Sequence, residues 1–284
     1  MSNKKIIAVI GSGTMGNGIA HVSALSGYSV FLVDINNELL KKAMNKISIN
    51  LQKQVEKKII SEQRKVKALN AIVTTVDMVD IKNSDLVIEA APENQGIKNK
   101  IFTELDSICK PDTILASNTS SISITDLAEQ TSRQDKVIGM HFMNPVPIMK
   151  LVEVVNGAKT SKKTKSSIVE FAKNMGKTPV KCNDSPGFVS NRILMPMINE
   201  AILCLEQEVA TKDAIDSIMH LGMAHPMGPL KLADLIGLDI CLDIMNVLYE
   251  GFKNEKYRPS RLLESMVEAG SLGRKTGKGF YNYK

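Results

Sequence analysis

The sequence predicts an α/β domain followed by an all-α domain, and three observations carry that prediction. A strand-length apolar run, Lys5 to Ile10, leads directly into Gly11-Ser-Gly-Thr-Met-Gly16 and then into a segment with helical apolar spacing. Short apolar runs then alternate with helix-period segments as far as Cys182. Beyond Asn183-Asp-Ser-Pro-Gly187 the periodicity is helical throughout. Together these read as a Rossmann-type dinucleotide-binding domain over residues 1–184 with a helical-hairpin insertion, and a helical domain over residues 185–284.

The first strand, the glycine loop and the helix that ends near Gly27 stand in the order a dinucleotide site requires. Gly11 allows a tight turn, Gly13 leaves room for a pyrophosphate, and Gly16 lets helix and strand pack closely. Thr14 and Met15 then open the helix, whose N–H groups point at the anion. A second strand, Tyr28 to Val33, ends at Asp34, where a carboxylate accepts hydrogen bonds from an adenosine ribose. Its charge repels a 2′-phosphate and Ile35-Asn-Asn37 supplies no arginine, so NAD is expected in preference to NADP. Asp34 as a helix cap is the competing reading, although Asn36 or Asn37 can serve that purpose.

Glu38 to Asn70 is helical with a break near Lys58 to Ser61, which predicts a hairpin. It carries Lys41, Lys42, Lys46, Lys53, Lys57, Lys58, Arg64, Lys65 and Lys67. Such a row is ordinarily a solvated face and gains meaning only beside a phosphate-bearing substrate. Strands follow at Ile72 to Val76 and Asp85 to Ala91, then a helix from just after Glu93 to about Cys109. Glu89 and Glu93 fall at or just past a strand end, near the expected cofactor, or are charges favoured at a helix start. Thr113 to Ser117 is another strand; the polar run Asn118 to Ser121 offers hydroxyls for substrate or for capping Ile124 to Glu129.

Val137-Ile-Gly139 reads as a buried strand, placing His141 where strand meets a loop that Pro145 and Pro147 keep from becoming helix. Glu153 interrupts the apolar run Lys150 to Val155. A carboxylate there needs a partner, and His141 is the nearest titratable candidate in sequence. The two are either a catalytic pair or a loop histidine and an unrelated glutamate. A helix from Lys162 to Met175 and a last strand, Thr178 to Cys182, complete the alternation. Ser185-Pro186 then reads as an N-cap and first turn, and Phe188 to Leu205 as a helix apolar around most of its circumference, as expected of one buried between other helices, with Asn191 and Arg192 within it. Further helices are expected at Lys212 to Leu221, Pro229 to Phe252 and Pro259 to Ala269. Their apolar faces predict self-association into a homodimer or higher homo-oligomer.

Composition narrows the function classes. With 43% hydrophobic and 23% charged residues over 284, the chain is globular. A net charge of +6 with 4% aromatics, no tryptophan and no nucleic-acid motif argues for an acidic small molecule rather than nucleic acid. No apolar run approaches the roughly 18 to 20 residues a membrane span needs, so no membrane partner and a cytoplasmic, soluble protein are expected. Cys109, Cys182, Cys204 and Cys241 lack zinc spacing and read as reduced core residues, so no metal site is expected.

Seven motifs in order, Gly11 to Gly16, Ala116-Ser-Asn-Thr-Ser-Ser121, His141-Phe-Met-Asn-Pro145, Lys150-Leu-Val-Glu153, Ser185-Pro-Gly-Phe-Val-Ser-Asn-Arg192, His225-Pro-Met-Gly-Pro229 and Gly273-Arg-Lys-Thr-Gly-Lys-Gly-Phe-Tyr281, resemble the 3-hydroxyacyl-CoA dehydrogenase family over nearly the whole chain. The resemblance is strongest to its stand-alone bacterial short-chain members, acting on (S)-3-hydroxybutyryl-CoA. It implies that His141 exchanges a proton with the substrate 3-oxygen and that Glu153 orients His141. It further implies that Ser120 and Asn191 bind substrate, that Glu93 and Lys98 lie near the nicotinamide, and that Lys53 and Lys57 meet the CoA phosphates. The helical domain would then serve substrate and dimerisation. Two departures stand out: Met143 where the family usually has Phe, and Gly96 where it has a larger residue. A dehydrogenase of a free hydroxy acid, or a non-catalytic relative, are the alternatives.

Overall fold

The computed structural model describes residues 5–283, which divide into two compact units between Asp184 and Ser185. The first unit runs β1 (Ile6–Ile10), α1 (Thr14–Leu25), β2 (Ser29–Val33), α2 (Asn37–Glu56), α3 (Glu62–Leu69) and β3 (Ile72–Thr75). It continues through β4 (Leu86–Glu89), α4 (Gln95–Ile108), β5 (Ile114–Ser117), α5 (Ile124–Glu129), β6 (Val137–Phe142), β7 (Leu151–Asn156), α6 (Lys162–Asn174) and β8 (Thr178–Asn183). One eight-stranded sheet results, in the order β3-β2-β1-β4-β5-β6-β7-β8. Neighbours are parallel except β6 and β7. Strands buried on both faces must be apolar without alternation, and β4, β5 and β6 are buried at every residue. The strand order reverses between β1 and β4, so the crevice beyond their C-terminal ends is where such a sheet takes ligands.

The hairpin forms as expected. Asn36 caps α2 by accepting from Leu39 N at 3.0 Å, which frees Asp34 from that duty. The chain turns at Lys58 and Ser61 caps α3.

His21, on α1, is 1% exposed. Burial first, and Lys177's charge more weakly, push its pKa down to about 4, with the Gln54 side chain offsetting only part. The folded value lies below the unfolded one, so this histidine's contribution is fully present above about pH 6.5. It is lost as pH falls toward the folded value, by up to about 3 kcal/mol. Chemical denaturation of wild type should therefore weaken between pH 7 and pH 4 more than that of His21→Leu; parallel profiles would contradict the assignment.

The second unit is helical: α7 (Ser190–Glu206), α8 (Lys212–Gly222), α9 (Pro229–Ile236), α10 (Leu238–Phe252) and α11 (Arg261–Glu268). Three expectations are corrected here. The stretch Pro229 to Phe252 is two helices, because Gly237 adopts φ 108° and breaks the periodicity that its apolar neighbours continue. Ser185 does not cap α7; Pro186 to Val189 form a turn in which Phe188 N donates to Ser185 O at 2.8 Å, and the helix begins at Ser190. Nor is α7 covered all round, since Ile193 is 67% exposed. The C-terminal segment is pinned by buried Asp234, which accepts from Phe280 N, Tyr281 N and the Tyr283 hydroxyl, each at 2.9 Å.

All four cysteines are free, but only Cys109 and Cys241 are buried; Cys182 and Cys204 are half-buried, because Cys182 sits on the edge strand β8. Among the described residues no helix is long and apolar enough to cross a membrane. No group of three or more His, Cys, Asp or Glu there could hold a metal ion.

Candidate active site

The glycine loop joins β1 to α1 at the point where the strand order reverses. Gly11 has φ 89°, and a Cβ there would come within 2.6 Å of Ala90 O, just past β4. A Cβ on Gly16 would run into Gly11 O, whereas one on Gly13 would meet nothing within 4 Å. The loop is thus closed on its strand side and open on the side where a pyrophosphate would lie, with Thr14 and Met15 starting α1 beneath it. Asp34 stands at the end of β2. Its carboxylate accepts from Ser12 N at 2.7 Å, Ser12 Oγ at 2.5 Å and Ile35 N at 2.7 Å. A carboxylate offers about four acceptor positions, so one remains for a ribose hydroxyl.

A second cluster lies at the ends of β4 and β5. Glu89 is fully buried and accepts from Lys98 Nζ at 2.6 Å, Ala91 N at 2.7 Å and Ser117 Oγ at 2.6 Å. Lys98 is in the first turn of α4, where the helix dipole disfavours a cation by about 0.3–1 kcal/mol. Leaving one charge of a buried pair unmatched costs roughly 3–5 kcal/mol, so pairing decides its position. Lys98 also reaches Glu93 at 3.3 Å. Glu93 in turn gathers the loop after β5: Thr119 Oγ1 at 2.5 Å, Ser120 N at 2.9 Å, Ser121 N at 3.0 Å and Ser121 Oγ at 2.8 Å. The Ser120 hydroxyl lies 3.3 Å from the same oxygen. Burial would raise the Glu93 carboxyl, but Lys98, these hydroxyls and the Ser120 N–H outweigh it and hold the group below the ordinary carboxylate range.

His141 lies within β6, one residue before its end, at the junction of strand and loop that the sequence suggested; the antiparallel ladder with β7 extends the strand past Gly139. In that ladder His141 is directly opposite Glu153. Opposite residues share a face, and His141 Nδ1 is 2.7 Å from Glu153 Oε2, with the two residues 8% and 4% exposed. An ionised carboxylate only accepts, so Nδ1 carries the hydrogen and Nε2 is the nitrogen able to take or give a proton. Asn118, after β5, accepts from Phe142 N at 2.9 Å and fixes the end of β6.

A cavity of about 590 Å³ opens beside the glycine loop. Its walls are Ser12, Gly13 and Thr14, then Asn17 and Gly18 of α1, then Leu39, Lys42, Lys46 and Asn50 of α2, and finally Asn144–Ile148 of the loop after β6. Lys53 and Lys57 do not line it. Both are exposed and continue the face of Lys46 and Asn50, at spacings of three and four residues along α2. An opening of about 610 Å³ by α3, lined by Glu62, Gln63, Val66 and Lys67, adjoins none of these groups. Asn191 lies on α7 of the second unit and is buried.

Ser117 and Asn118 escaped assignment because each is an ordinary strand-end polar residue whose partner is 24 to 28 positions away. Glu89 inside an apolar run was the one legible signal, of the same kind that singled out Glu153.

Residues 6–185 match the family model "3-hydroxyacyl-CoA dehydrogenase, NAD binding domain", and residues 187–283 match "3-hydroxyacyl-CoA dehydrogenase, C-terminal domain". A probable 3-hydroxybutyryl-CoA dehydrogenase of Deinococcus radiodurans is 55% identical over 275 residues, 97% of this chain and 99% of that one. The mitochondrial hydroxyacyl-coenzyme A dehydrogenase of Homo sapiens is 45% identical over 295 residues, 100% and 94% of the two chains. The crystal structure of (S)-3-hydroxybutyryl-CoA dehydrogenase from Ralstonia eutropha superimposes with a TM-score of 0.97 at 48% identity, covering 99% of this chain and 100% of that one.

Proposed function

The chain belongs to the 3-hydroxyacyl-CoA dehydrogenase family, as an oxidoreductase interconverting (S)-3-hydroxybutyryl-CoA and acetoacetyl-CoA, and we propose that His141 and Glu153 carry the proton side of that reaction. The observation that carries the assignment is their 2.7 Å contact across β6 and β7. A bound nicotinamide supplies the redox chemistry, accepting hydride in oxidation and donating it in reduction. His141 Nε2 takes the 3-hydroxyl proton in one direction and returns it in the other. Glu153 holds the tautomer this needs and stabilises the imidazolium that forms. Ser120, held by the Glu93 hub, is assigned to the substrate oxygen; Asn191 is assigned to substrate on the family likeness alone.

The glycine loop, Thr14 and Met15 would hold the dinucleotide pyrophosphate, and Asp34 the adenosine ribose. Glu93 and Lys98 would flank the nicotinamide half. The cavity walls supplied by Lys42, Lys46 and Asn50, with the row continued by Lys53 and Lys57, are read as the place of the CoA phosphates.

NAD is the proposed cofactor. The purified protein is expected to oxidise NADH on addition of acetoacetyl-CoA, with kcat/KM for NADH exceeding that for NADPH by roughly ten- to a hundredfold, because a 2′-phosphate would face Asp34 with like charge. Absence of any change at the nicotinamide absorbance band would sink the activity. A preference for NADPH would overturn the role of Asp34 alone.

A further inference from the structure

The loop of residues 143–150 joins β6 to β7 and so connects His141 to Glu153. Pro145 and Pro147 have no N–H, which leaves the loop short of donors for its own carbonyls. Pro145 O accepts from Ile148 N and Met149 N, each at 3.0 Å, and Lys150 O from Thr178 N at 2.7 Å. The carbonyls of Val146 and Met149 are both taken by one group from elsewhere in the chain, the ammonium of Lys177, which donates to Met149 O at 2.8 Å and to Val146 O.

Lys177 is 8% exposed and has no carboxylate partner among the described residues; burial alone pushes its pKa down. A buried cation without a counter-charge destabilises a fold that an apolar side chain of similar length would not. What the ammonium secures is a cavity wall. Residues 144–148 stand in the cavity that Lys42, Lys46 and Asn50 of α2 also line, the walls read as the place of the CoA phosphates. Val146 is 2% exposed and packs so closely on α1 that a Cβ on Gly18 would lie 2.8 Å from its own Cβ.

We propose that Lys177 is a positioning residue for the dehydrogenase reaction: by holding the carbonyls of Val146 and Met149 it fixes the loop between His141 and Glu153, and with it the wall against which acyl-CoA is placed. This rests on the reading of the cavity as an acyl-CoA site.

The test is Lys177→Met in the full chain, read in two ways. In steady-state kinetics KM for acetoacetyl-CoA should rise about tenfold and kcat fall by less, while NADH affinity, followed by fluorescence titration, stays within about twofold. In hydrogen exchange the amides of Ile148 and Met149 should exchange about tenfold faster, with the amides of β1 and β4 unchanged. Lys177→Gln keeps two N–H donors on a shorter stem, should fall between Met and wild type in both readings, and stands in if the Met variant does not fold. Unchanged KM and unchanged loop exchange would overturn the proposal. So would a general loss in which kcat, both KM values and exchange across the whole first unit change together. A wild-type protein inactive on acetoacetyl-CoA would refute the functional reading, while the exchange measurement still decides the role of Lys177 in the loop.

Discussion

His141→Ala is expected to lower turnover of acetoacetyl-CoA by about 10²- to 10⁴-fold, the range that a positioned general acid–base group contributes. The reacting oxygen then has no side chain to exchange its proton with, and water must serve. NADH affinity should be nearly unaffected, because His141 is on β6 whereas the dinucleotide cradle we propose is built from the β1–α1 loop and the end of β2. His141 is 8% exposed, so truncation also leaves a cavity, and His141→Gln, closer in volume, separates lost chemistry from lost packing. Turnover of both variants within tenfold of wild type, with protein shown to be folded by chemical denaturation, would remove His141 from the mechanism.

The second large effect is expected at Glu153. In Glu153→Gln the volume is kept and the charge is lost. The amide can present N–H to His141 Nδ1, which favours the tautomer with its hydrogen on Nε2, and the imidazolium formed during oxidation loses its counter-charge. We expect kcat to fall by about 10²-fold or more, by the logic that makes the orienting carboxylate of a histidine dyad essential. KM for acetoacetyl-CoA and NADH affinity should change little, since Glu153 is 4% exposed. A pair acting as a unit is not additive, so the His141→Ala, Glu153→Gln double variant should be no slower than His141→Ala alone. Multiplicative losses would mean that Glu153 acts separately from His141.

Most of the proposed nucleotide site could be read from the chain itself. A glycine loop works through backbone approach and φ values that side chains forbid, so the residue types at positions 11, 13 and 16 report the geometry directly; the closed and open faces at Gly11, Gly16 and Gly13 bear this out. Asp34 was similarly legible because the residue that competes with it for the cap, Asn36, is two positions away and takes the helix start. The helical unit was less so. Gly237 interrupts two apolar segments whose periodicities run together in sequence, and Ser185 looks like a cap until the turn at Pro186 to Val189 delays the helix.

The sequence by itself determined the two-part fold, singled out His141 and Glu153 as candidates and, through the likeness of seven motifs, pointed to the family, because apolar period, glycine spacing and a charge stranded in an apolar run are local properties. Only the tertiary structure decided that His141 and Glu153 face each other, that Glu89 and Lys98 brace the hub at Glu93, and that Lys177 closes the loop between the catalytic candidates. The reason is physical. A one-residue slip in the β6–β7 register would turn Glu153 to the opposite face, and register is fixed by how eight strands and their covering helices pack together. The residues that hold it lie 12 to 31 positions apart, joined by hydrogen bonds that no period in the sequence records.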